Sequence, residues 1–249
     1  MTRIFTGHAL AGRIHNDIRE GITRLGRAPR CAVLIDEASA PMVAYASRQR
    51  EAAAKLGIEL AFASYERSPE LARDQLRRLG EDPRLDAVMT LYPLPSGIAP
   101  VEAALLVGTD KDVDGLHPEN AGLLALGAPG RTPATAHACR LAIGELAGSL
   151  RGAEITIVGA SRIVGRPLAT MLLDADATVT VCHVATRDLA DHTRRADVVV
   201  SAAGVAGLIG AAHIRDGAIL VDVSIIRTEA GLVGDVDLAS VEGKASVVT

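Results

Sequence analysis

The chain has 249 residues, of which 49% are apolar, and a formal net charge of −4. This length and apolar content allow one large or two modest domains with buried cores. The slightly acidic balance argues against nucleic acid or an anionic membrane as a partner, since either would normally require a basic patch. No apolar run is long enough to span a membrane and the N-terminus lacks a signal-peptide pattern, so we expect a cytoplasmic protein.

Short apolar runs alternate with amphipathic stretches, which is the pattern of βα units around a parallel sheet. The predicted fold class is therefore α/β. In the first half we predict a helix over 10–25, a strand over 31–35, a helix over 45–56, a strand over 59–65, a helix over 69–79 and a strand over 87–91. In the second half we predict strands over 154–158, 178–183, 197–202 and 218–223, with helices beginning near Arg166, Thr186 and Ala211. A turn-rich segment over 127–133 separates a predicted domain over residues 1–135 from a second over 136–249.

The cysteines and histidines do not suggest a metal or disulfide site. Cys31, Cys139 and Cys182 are odd in number and widely spaced, so we expect buried free thiols. The histidines show no metal-ligand spacing, and we expect no metal site.

Residues 155–167 read I-T-I-V-G-A-S-R-I-V-G-R-P, a β-branched run that passes into a glycine turn and a helix start. Gly159 permits a sharp turn, Ser161 offers a hydroxyl group and an N–H, and Gly165 lets the helix pack close to the sheet. A helix N-terminus in this position favours a bound phosphate. The spacing differs from G-x-G-x-x-G, and an ordinary strand-to-helix turn remains an alternative.

Three features precede this turn. Tyr45 lies near a predicted helix start, residues 91–95 read L-Y-P-L-P, and residues 111–118 read K-D-V-D-G-L-H-P. Each alone also fits a packing residue, a plain loop or a solvated acidic loop. In this order, followed by G-A-S-R-I-V-G-R-P, they resemble the methylenetetrahydrofolate dehydrogenase/cyclohydrolase family along the whole chain. I-F-T-G, T-V-T-V-C-H and V-G-D-V match as well.

The resemblance implies an N-terminal folate-type catalytic domain, a C-terminal Rossmann-type NAD(P)-binding domain and a cleft between them. It also implies a homodimer, formed typically through the coenzyme domain. The reaction would be hydride transfer from the one-carbon bridge of 5,10-methylenetetrahydrofolate to C4 of a nicotinamide, leaving a cationic methenyl product. Such a step needs positioning more than acid–base help.

On matching positions, Asp114 would bind the pterin ring and Tyr45 would lie beside the reacting carbon, with Leu91 and Pro93 on the substrate side. The residues matching the coenzyme site are Gly159, Ser161, Arg162, Ile163, His183, Gly204 and Ile225.

Departures from the family pattern fall mainly on the substrate side. Gln49 replaces the lysine that follows the tyrosine in bifunctional members, Leu91 replaces a glutamine, and Met42 replaces a serine. A carboxamide does not titrate usefully, so we expect cyclohydrolase activity to be absent or weak. A substitute base is disfavoured, because Glu51 and Lys55 fall on other helix faces. The family also continues into a P-G-G-V-G-P-x-T segment and a helix, whereas this sequence ends at Thr249. Two explanations fit this difference: a protein with a more open cleft, or a sequence that has been cut short.

The coenzyme prediction is NADP, with NAD possible. The second strand of the coenzyme domain ends at His183 and Val184, without the carboxylate that often holds the ribose of NAD. His183 and Arg162 could instead meet a 2′-phosphate, although His183 equally fits a plain strand-end residue. Two other functions remain open: a dehydrogenase of this fold acting on a different amine or N-linked one-carbon compound, and a non-catalytic subunit that binds folate or coenzyme.

Overall fold

The structure is a computed structural model that describes residues 1–229 and 231–249. The strands, in chain order, are β1 (Arg3–Ile4), β2 (Arg30–Ile35), β3 (Glu59–Ser64), β4 (Ala87–Thr90), β5 (Glu154–Val158), β6 (Thr178–Cys182), β7 (Val198–Ser201), β8 (Ile219–Asp222), β9 (Ile226–Thr228), β10 (Gly231–Val233) and β11 (Val247–Val248). The helices are α1 (His8–Leu25), α2 (Ala40–Leu56), α3 (Pro69–Glu81), α4 (Pro100–Val107), α5 (Pro118–Ala125), α6 (Ala134–Ala147), α7 (Gly165–Leu173), α8 (Leu189–Thr193) and α9 (Leu238–Val241), with a 3-10 turn at Ala211–His213. The predicted α/β class is confirmed.

The described chain divides into two compact units. The N-terminal unit is Leu10–Thr132, and the C-terminal unit is Pro133–Thr249 together with Met1–Ala9. The first residues join the C-terminal unit because β1 pairs in parallel with β11 at the edge of its sheet. A pairing of two short strands so far apart in sequence leaves no periodic signal, so the predicted domain over 1–135 did not anticipate it.

The N-terminal unit is built on a parallel sheet with the strand order β3-β2-β4. Its central strand β2 is buried from Cys31 to Ile35, as a parallel strand covered on both faces should be. Successive side chains point to opposite faces, so Leu34 packs into one apolar cluster while Val33 and Ile35 pack into another. The second cluster matters for function because it includes α2 and the end of β4.

Helix α2 begins earlier than predicted. Its N-cap is Ser39 and it starts at Ala40, with a proline in the first turn whose fixed φ suits a helix start. Tyr45 therefore lies in the second turn of α2, which corrects the prediction of a helix beginning at Tyr45.

The C-terminal unit contains a parallel sheet in the order β1-β11-β8-β7-β5-β6. The four strands predicted for this half are confirmed as β5, β6, β7 and β8, because buried apolar runs mark them clearly. The antiparallel hairpin β9–β10 and the helices α4, α5 and α6 were not predicted. The helix expected near Thr186 begins at Leu189, and only a 3-10 turn forms at Ala211.

One buried carboxylate, Asp235, holds the loop that follows β7. Its Oδ2 accepts hydrogen bonds from Ser201 Oγ at 2.8 Å and from the backbone N of Ala203 at 2.7 Å, and its Oδ1 accepts from Val205 N at 2.8 Å. Burial alone would raise the pKa of this carboxyl, but hydrogen bonds from Ala203, Ser201, Ser224 and Val205 outweigh burial and lower it. The carboxylate therefore stays ionised and organises the loop.

A second carboxylate positions the first. Asp222 Oδ1 accepts from the backbone N of Asp235 at 3.1 Å, and Asp222 Oδ2 accepts from Val236 N at 2.9 Å. A Cβ atom at Gly234 would lie 1.9 Å from Asp222 Oδ2, so any other residue there would displace this carboxylate from its hydrogen bonds. The V-G-D-V motif is thus explained by the close approach of the segment that carries Asp235 to the segment that carries Asp222.

We predict that Asp235→Asn lowers the free energy of unfolding by about 2–4 kcal/mol near neutral pH, because an amide NH₂ would face the backbone N–H donors. The folded pKa of Asp235 is lowered, so its contribution is complete above the unfolded value of about 3.9 and is lost as pH falls through the folded pKa. Urea unfolding of both proteins at several pH values should show the difference shrinking in acid. Asp216→Asn, at an exposed carboxylate, is the control; an equal effect of the two substitutions would contradict the prediction.

Candidate active site

Buried polar contacts hold the K-D-V-D-G-L-H-P segment against the sheet of the N-terminal unit. Asp112 is buried, and its Oδ2 accepts hydrogen bonds from the backbone N of His117 at 2.7 Å and from Asn120 Nδ2 at 3.1 Å. The backbone of Asp112 also forms a parallel bridge with Val88 of β4. This arrangement fixes the loop from which Asp114 projects.

The lysine of this motif has a structural role. Lys111 Nζ donates to the carbonyl oxygens of Leu79 and Asp82, at the C-terminal end of α3. A cation satisfies the unpaired carbonyl groups and the negative end of the helix dipole there. Lys111 therefore links α3 to the loop.

Asp114 is a partly buried carboxyl beside the end of β4. Its Oδ2 accepts a hydrogen bond from the backbone N of Thr90 at 3.0 Å, and Oδ1 has no hydrogen-bond donor among the described residues. Burial raises the pKa of Asp114 to about 6; the Thr90 hydrogen bond opposes this rise and the charge of Asp112 adds to it. A carboxyl with an open oxygen can accept hydrogen bonds from a ligand.

Two tyrosines lie at the loop after β4, and neither was predicted as a site residue. Tyr65 is buried and its hydroxyl donates to the carbonyl oxygen of Pro93 at 3.3 Å. Tyr92 is 40% exposed, yet burial of its hydroxyl region and the charges of Asp114 and Asp112 raise its pKa. Tyr92 is thus a neutral hydrogen-bond donor at physiological pH. The aromatic residue within L-Y-P-L-P was the sequence feature that could have indicated Tyr92 as a site residue.

Tyr45 and Gln49 lie one turn apart on α2 but differ in environment. Tyr45 is 54% exposed, so its ring is open to solvent. Gln49 follows Met42 and Ala46 along the buried stripe of the helix. Its Oε1 atom is buried and has no hydrogen-bond partner among the described residues. Buried amide oxygens usually have a partner, so this atom stands out in the unit.

The two apolar replacements predicted on the substrate side lie in one cluster. Met42 and Leu91 are both buried and pack with Val33, Ile35 and Ala46. Met42 Sδ accepts a hydrogen bond from the backbone N of an adjacent loop residue, Asp36, at 3.0 Å. A serine and a glutamine at these positions would bring polar groups into this cluster. The present side chains make it apolar.

In the C-terminal unit, the glycine turn after β5 is set by close backbone approach. Gly159 has φ +119, and a Cβ atom there would lie 2.3 Å from the carbonyl oxygen of Ala202. A Cβ atom at Gly165 would lie 1.8 Å from the carbonyl oxygen of Gly159. Ser161 Oγ accepts a hydrogen bond from Val164 N at 3.1 Å, while its hydroxyl proton can still be donated to a ligand. The turn can hold only glycine at both positions.

A cavity of about 800 Å³ lies at the carboxyl ends of β5, β6 and β7. Such a position is the usual ligand site of an open parallel sheet. The residues lining it are Val158, Gly159, Ala160, Ser161, Arg166, His183, Val184, Thr186, Leu189, Ala202, Ala203, Val205 and Leu208. Apolar walls combined with a helix N-terminus, hydroxyl groups and a cation suit the adenosine and phosphate groups of a dinucleotide.

Of the predicted coenzyme residues, Gly159, Ser161 and His183 line this cavity. Arg162 and Ile163 are exposed on the same turn but are not among the lining residues. The structure thus brings part of the predicted set together.

The remaining predicted coenzyme residues lie elsewhere in the C-terminal unit. Gly204 is in the loop held by Asp235, and its N–H donates to Ser224 Oγ at 3.1 Å. Ile225 lines a separate depression of about 680 Å³ beside the β9–β10 hairpin. Arg166, which the sequence analysis treated only as a helix start, lines the main cavity.

Neither a metal centre nor a membrane span emerges from residues 1–229 and 231–249. No group of three or more His, Cys, Asp or Glu side chains is arranged to hold a metal ion within those ranges. No helix within them is both long and apolar enough to cross a membrane.

Comparison with known proteins agrees with the fold and the motifs. Residues 5–114 match the family described as tetrahydrofolate dehydrogenase/cyclohydrolase, catalytic domain, and residues 133–249 match its NAD(P)-binding domain. The bifunctional protein FolD 1 of Rubrobacter xylanophilus is 40% identical, over 100% of this chain and 90% of that protein.

Two solved structures are similar throughout. The bifunctional methylenetetrahydrofolate dehydrogenase/cyclohydrolase FolD of Campylobacter jejuni superposes with a TM-score of 0.94 at 33% identity, covering 100% of this chain and 91% of that one. The Trypanosoma brucei methylenetetrahydrofolate dehydrogenase-cyclohydrolase, solved with NADP and an inhibitor, gives a TM-score of 0.89 at 31% identity, covering 100% and 90%.

These matches confirm the predicted resemblance, the pairing of a catalytic with an NAD(P)-binding domain, and the enzyme class. The chain belongs to the tetrahydrofolate dehydrogenase/cyclohydrolase family.

Proposed function

We propose that this protein oxidises 5,10-methylenetetrahydrofolate to 5,10-methenyltetrahydrofolate with NADP, and that its cyclohydrolase activity is absent or weak. The main support is the combination of Asp114, a partly buried carboxyl with an open oxygen, with a dinucleotide-type cavity in the other unit of the same chain. NADP fits the donor set of that cavity, which contains Ser161, Arg166, His183 and Thr186.

In this proposal the chain's residues chiefly bind and orient the substrate. Asp114 accepts hydrogen bonds from the pterin ring, and the exposed ring of Tyr45 packs beside the reacting carbon. NADP supplies the hydride acceptor. The hydride leaves the bridging carbon with its electron pair, and the remaining cation is delocalised over two nitrogens, so no protein group has to take a proton. The role of the protein is to hold the substrate in a reactive geometry.

Hydrolysis of the methenyl product makes a different demand. Water must attack the methenyl carbon and lose a proton, and a positioned base typically accelerates such a step by about 10²–10⁴-fold. Gln49 does not titrate, and the apolar cluster of Met42 and Leu91 offers no base. These residues support a dehydrogenase that releases methenyltetrahydrofolate.

The apolar cluster also favours one rival function. A substrate side rebuilt at Met42, Gln49 and Leu91 suits a different amine or N-linked one-carbon compound, with the coenzyme cavity unchanged. A subunit that binds folate or coenzyme without catalysis is a further alternative. A cytoplasmic homodimer remains part of the proposal, as does the assignment of folate to the N-terminal unit.

An anaerobic spectrophotometric assay with 5,10-methylenetetrahydrofolate and either NADP or NAD tests the proposed function. We expect reduced coenzyme and methenyl product to rise together, with the methenyl product disappearing only at its spontaneous rate. Enzyme-dependent loss of the methenyl product would contradict the proposed loss of cyclohydrolase activity. Coenzyme binding without reduction would favour the rival functions.

We predict that Gln49→Lys alone does not create substantial cyclohydrolase activity. The glutamine that partners the lysine in bifunctional members is replaced here by Leu91, which lies in an apolar cluster and offers no amide. The double variant Gln49→Lys/Leu91→Gln should hydrolyse methenyltetrahydrofolate at least about tenfold faster than either single variant. Stopped-flow absorbance of the methenyl product measures this, with Leu91→Gln as the matched control. Strong hydrolysis by Gln49→Lys alone would refute the requirement for the amide.

We predict that tetrahydrofolate affinity rises between about pH 5 and pH 7. The pKa of Asp114 is raised to about 6, and the carboxylate that forms above this pH accepts hydrogen bonds from the pterin ring. Asp114→Asn should weaken binding about 10–100-fold and remove the pH dependence, while coenzyme affinity stays unchanged. Anaerobic calorimetry against pH measures both, and Asp110→Asn, an exposed carboxylate of the same loop, is the control. Equal loss of folate and coenzyme binding would mean that Asp114 is structural.

A further inference from the structure

We propose that Arg166 selects NADP over NAD by binding the 2′-phosphate of the adenosine ribose. This inference rests on the proposed coenzyme function of the C-terminal unit and deepens it. Arg162, the arginine predicted for this role, does not line the cavity, whereas Arg166 does.

The guanidinium group of Arg166 is held in place from one side. Its Nε donates to the carbonyl oxygen of Ala160 at 3.0 Å, which fixes the group over the turn that follows β5. Among the described residues, the guanidinium group has no other hydrogen-bond acceptor, and no carboxylate forms an ion pair with it. The Nη1 and Nη2 groups therefore remain able to form a bidentate contact with a phosphate.

The position of Arg166 on its helix also points to an anion. It is the second residue of α7, whose first turn contains no acidic residue. A cation at the positive end of the helix dipole is electrostatically unfavourable unless a negative charge lies nearby. No protein carboxylate in the described chain supplies that charge through an ion pair, and a ligand phosphate would.

The side chains that share the cavity with Arg166 point to the 2′-phosphate as its ligand. In dinucleotide-binding sheets the adenosine ribose lies beside the end of the second strand, where a carboxylate typically holds the 2′-hydroxyl of NAD. Here that strand is β6, and the cavity beside its end contains His183 and Thr186. Arg166 and His183 are the only ionisable side chains among the described residues that line the cavity. The site has the charge expected for a ribose that carries a phosphate.

His183 contributes a second donor. Its Nδ1 accepts a hydrogen bond from the backbone N of Ala185 at 3.2 Å, so the neutral ring carries its proton on Nε2. An Nε2–H group is able to donate to a phosphate oxygen. Arg166 supplies the charge and His183 supplies an additional hydrogen bond.

The test compares two adenosine ligands that differ only in the 2′-phosphate: adenosine 2′,5′-bisphosphate and adenosine 5′-monophosphate. Calorimetry should show that the unsubstituted protein prefers the bisphosphate by about 10–100-fold. Arg166→Gln should remove this preference while changing the affinity for the monophosphate by less than about twofold. Arg166→Lys should retain an intermediate preference, because lysine keeps the charge but loses the bidentate geometry.

Arg151→Gln is the matched control, since it removes the same charge from an exposed arginine of the same unit. Thermal unfolding establishes that each variant is folded, and the unchanged monophosphate affinity reports an intact turn. A preference for the bisphosphate that persists in Arg166→Gln overturns the inference while leaving coenzyme binding in place. Equal weakening of both ligands overturns it in favour of a contact with a shared group. Failure of the unsubstituted protein to bind either ligand overturns the proposed coenzyme function as well.

Discussion

The cavity at the carboxyl ends of β5, β6 and β7 depends on the buried carboxylate of Asp235. Backbone N–H groups of the loop after β7 share this carboxylate as their acceptor. Ala203 and Val205, which donate to this carboxylate, also line the cavity. Asp222 fixes the backbone of Asp235 in turn, and the absence of a side chain at Gly234 makes the approach possible. The wall of the cavity is therefore set by charge-assisted hydrogen bonds to a buried side chain of the protein, before any ligand arrives.

In the N-terminal unit, a loop is likewise held by a buried carboxylate, that of Asp112. A buried carboxylate accepts hydrogen bonds from His117 and Asn120, and the loop that it holds presents Asp114. The two acidic residues of K-D-V-D-G thus have separate roles, although both are carboxylates in one short loop. Asp112 has its hydrogen-bond donors within the protein and builds the loop. Asp114 receives one backbone N–H, keeps a raised pKa and retains an open oxygen.

The sequence predicted those parts of the structure that arise from local pattern. Buried parallel strands read as apolar runs, and the glycines of the turn after β5 mark a close backbone approach, so both were predictable. The pairing of β1 with β11 was not, because two short strands distant in sequence meet only in the folded chain. The position of Arg166 in the cavity was not predicted for a similar reason: its side chain reaches back to Ala160, which spacing along a helix does not reveal. The hydrogen bond from Tyr65 to Pro93 is likewise a contact between separate segments.

Unused hydrogen-bonding capacity distinguishes the candidate ligand-binding groups from the groups that hold the fold together. Asp112 and Asp235 are enclosed by donors from the chain itself, so removing them should disturb structure first. Asp114 Oδ1 and the Nη groups of Arg166 lack such partners among the described residues. Asp114 Oδ1 can accept hydrogen bonds from a ligand, and the Nη groups of Arg166 can bind an anion. Gln49 Oε1 is also without a partner, but it is a neutral acceptor on an otherwise apolar helix face. A neutral acceptor can orient a substrate and cannot take a proton from water, so the amide at position 49 favours hydride transfer over hydrolysis.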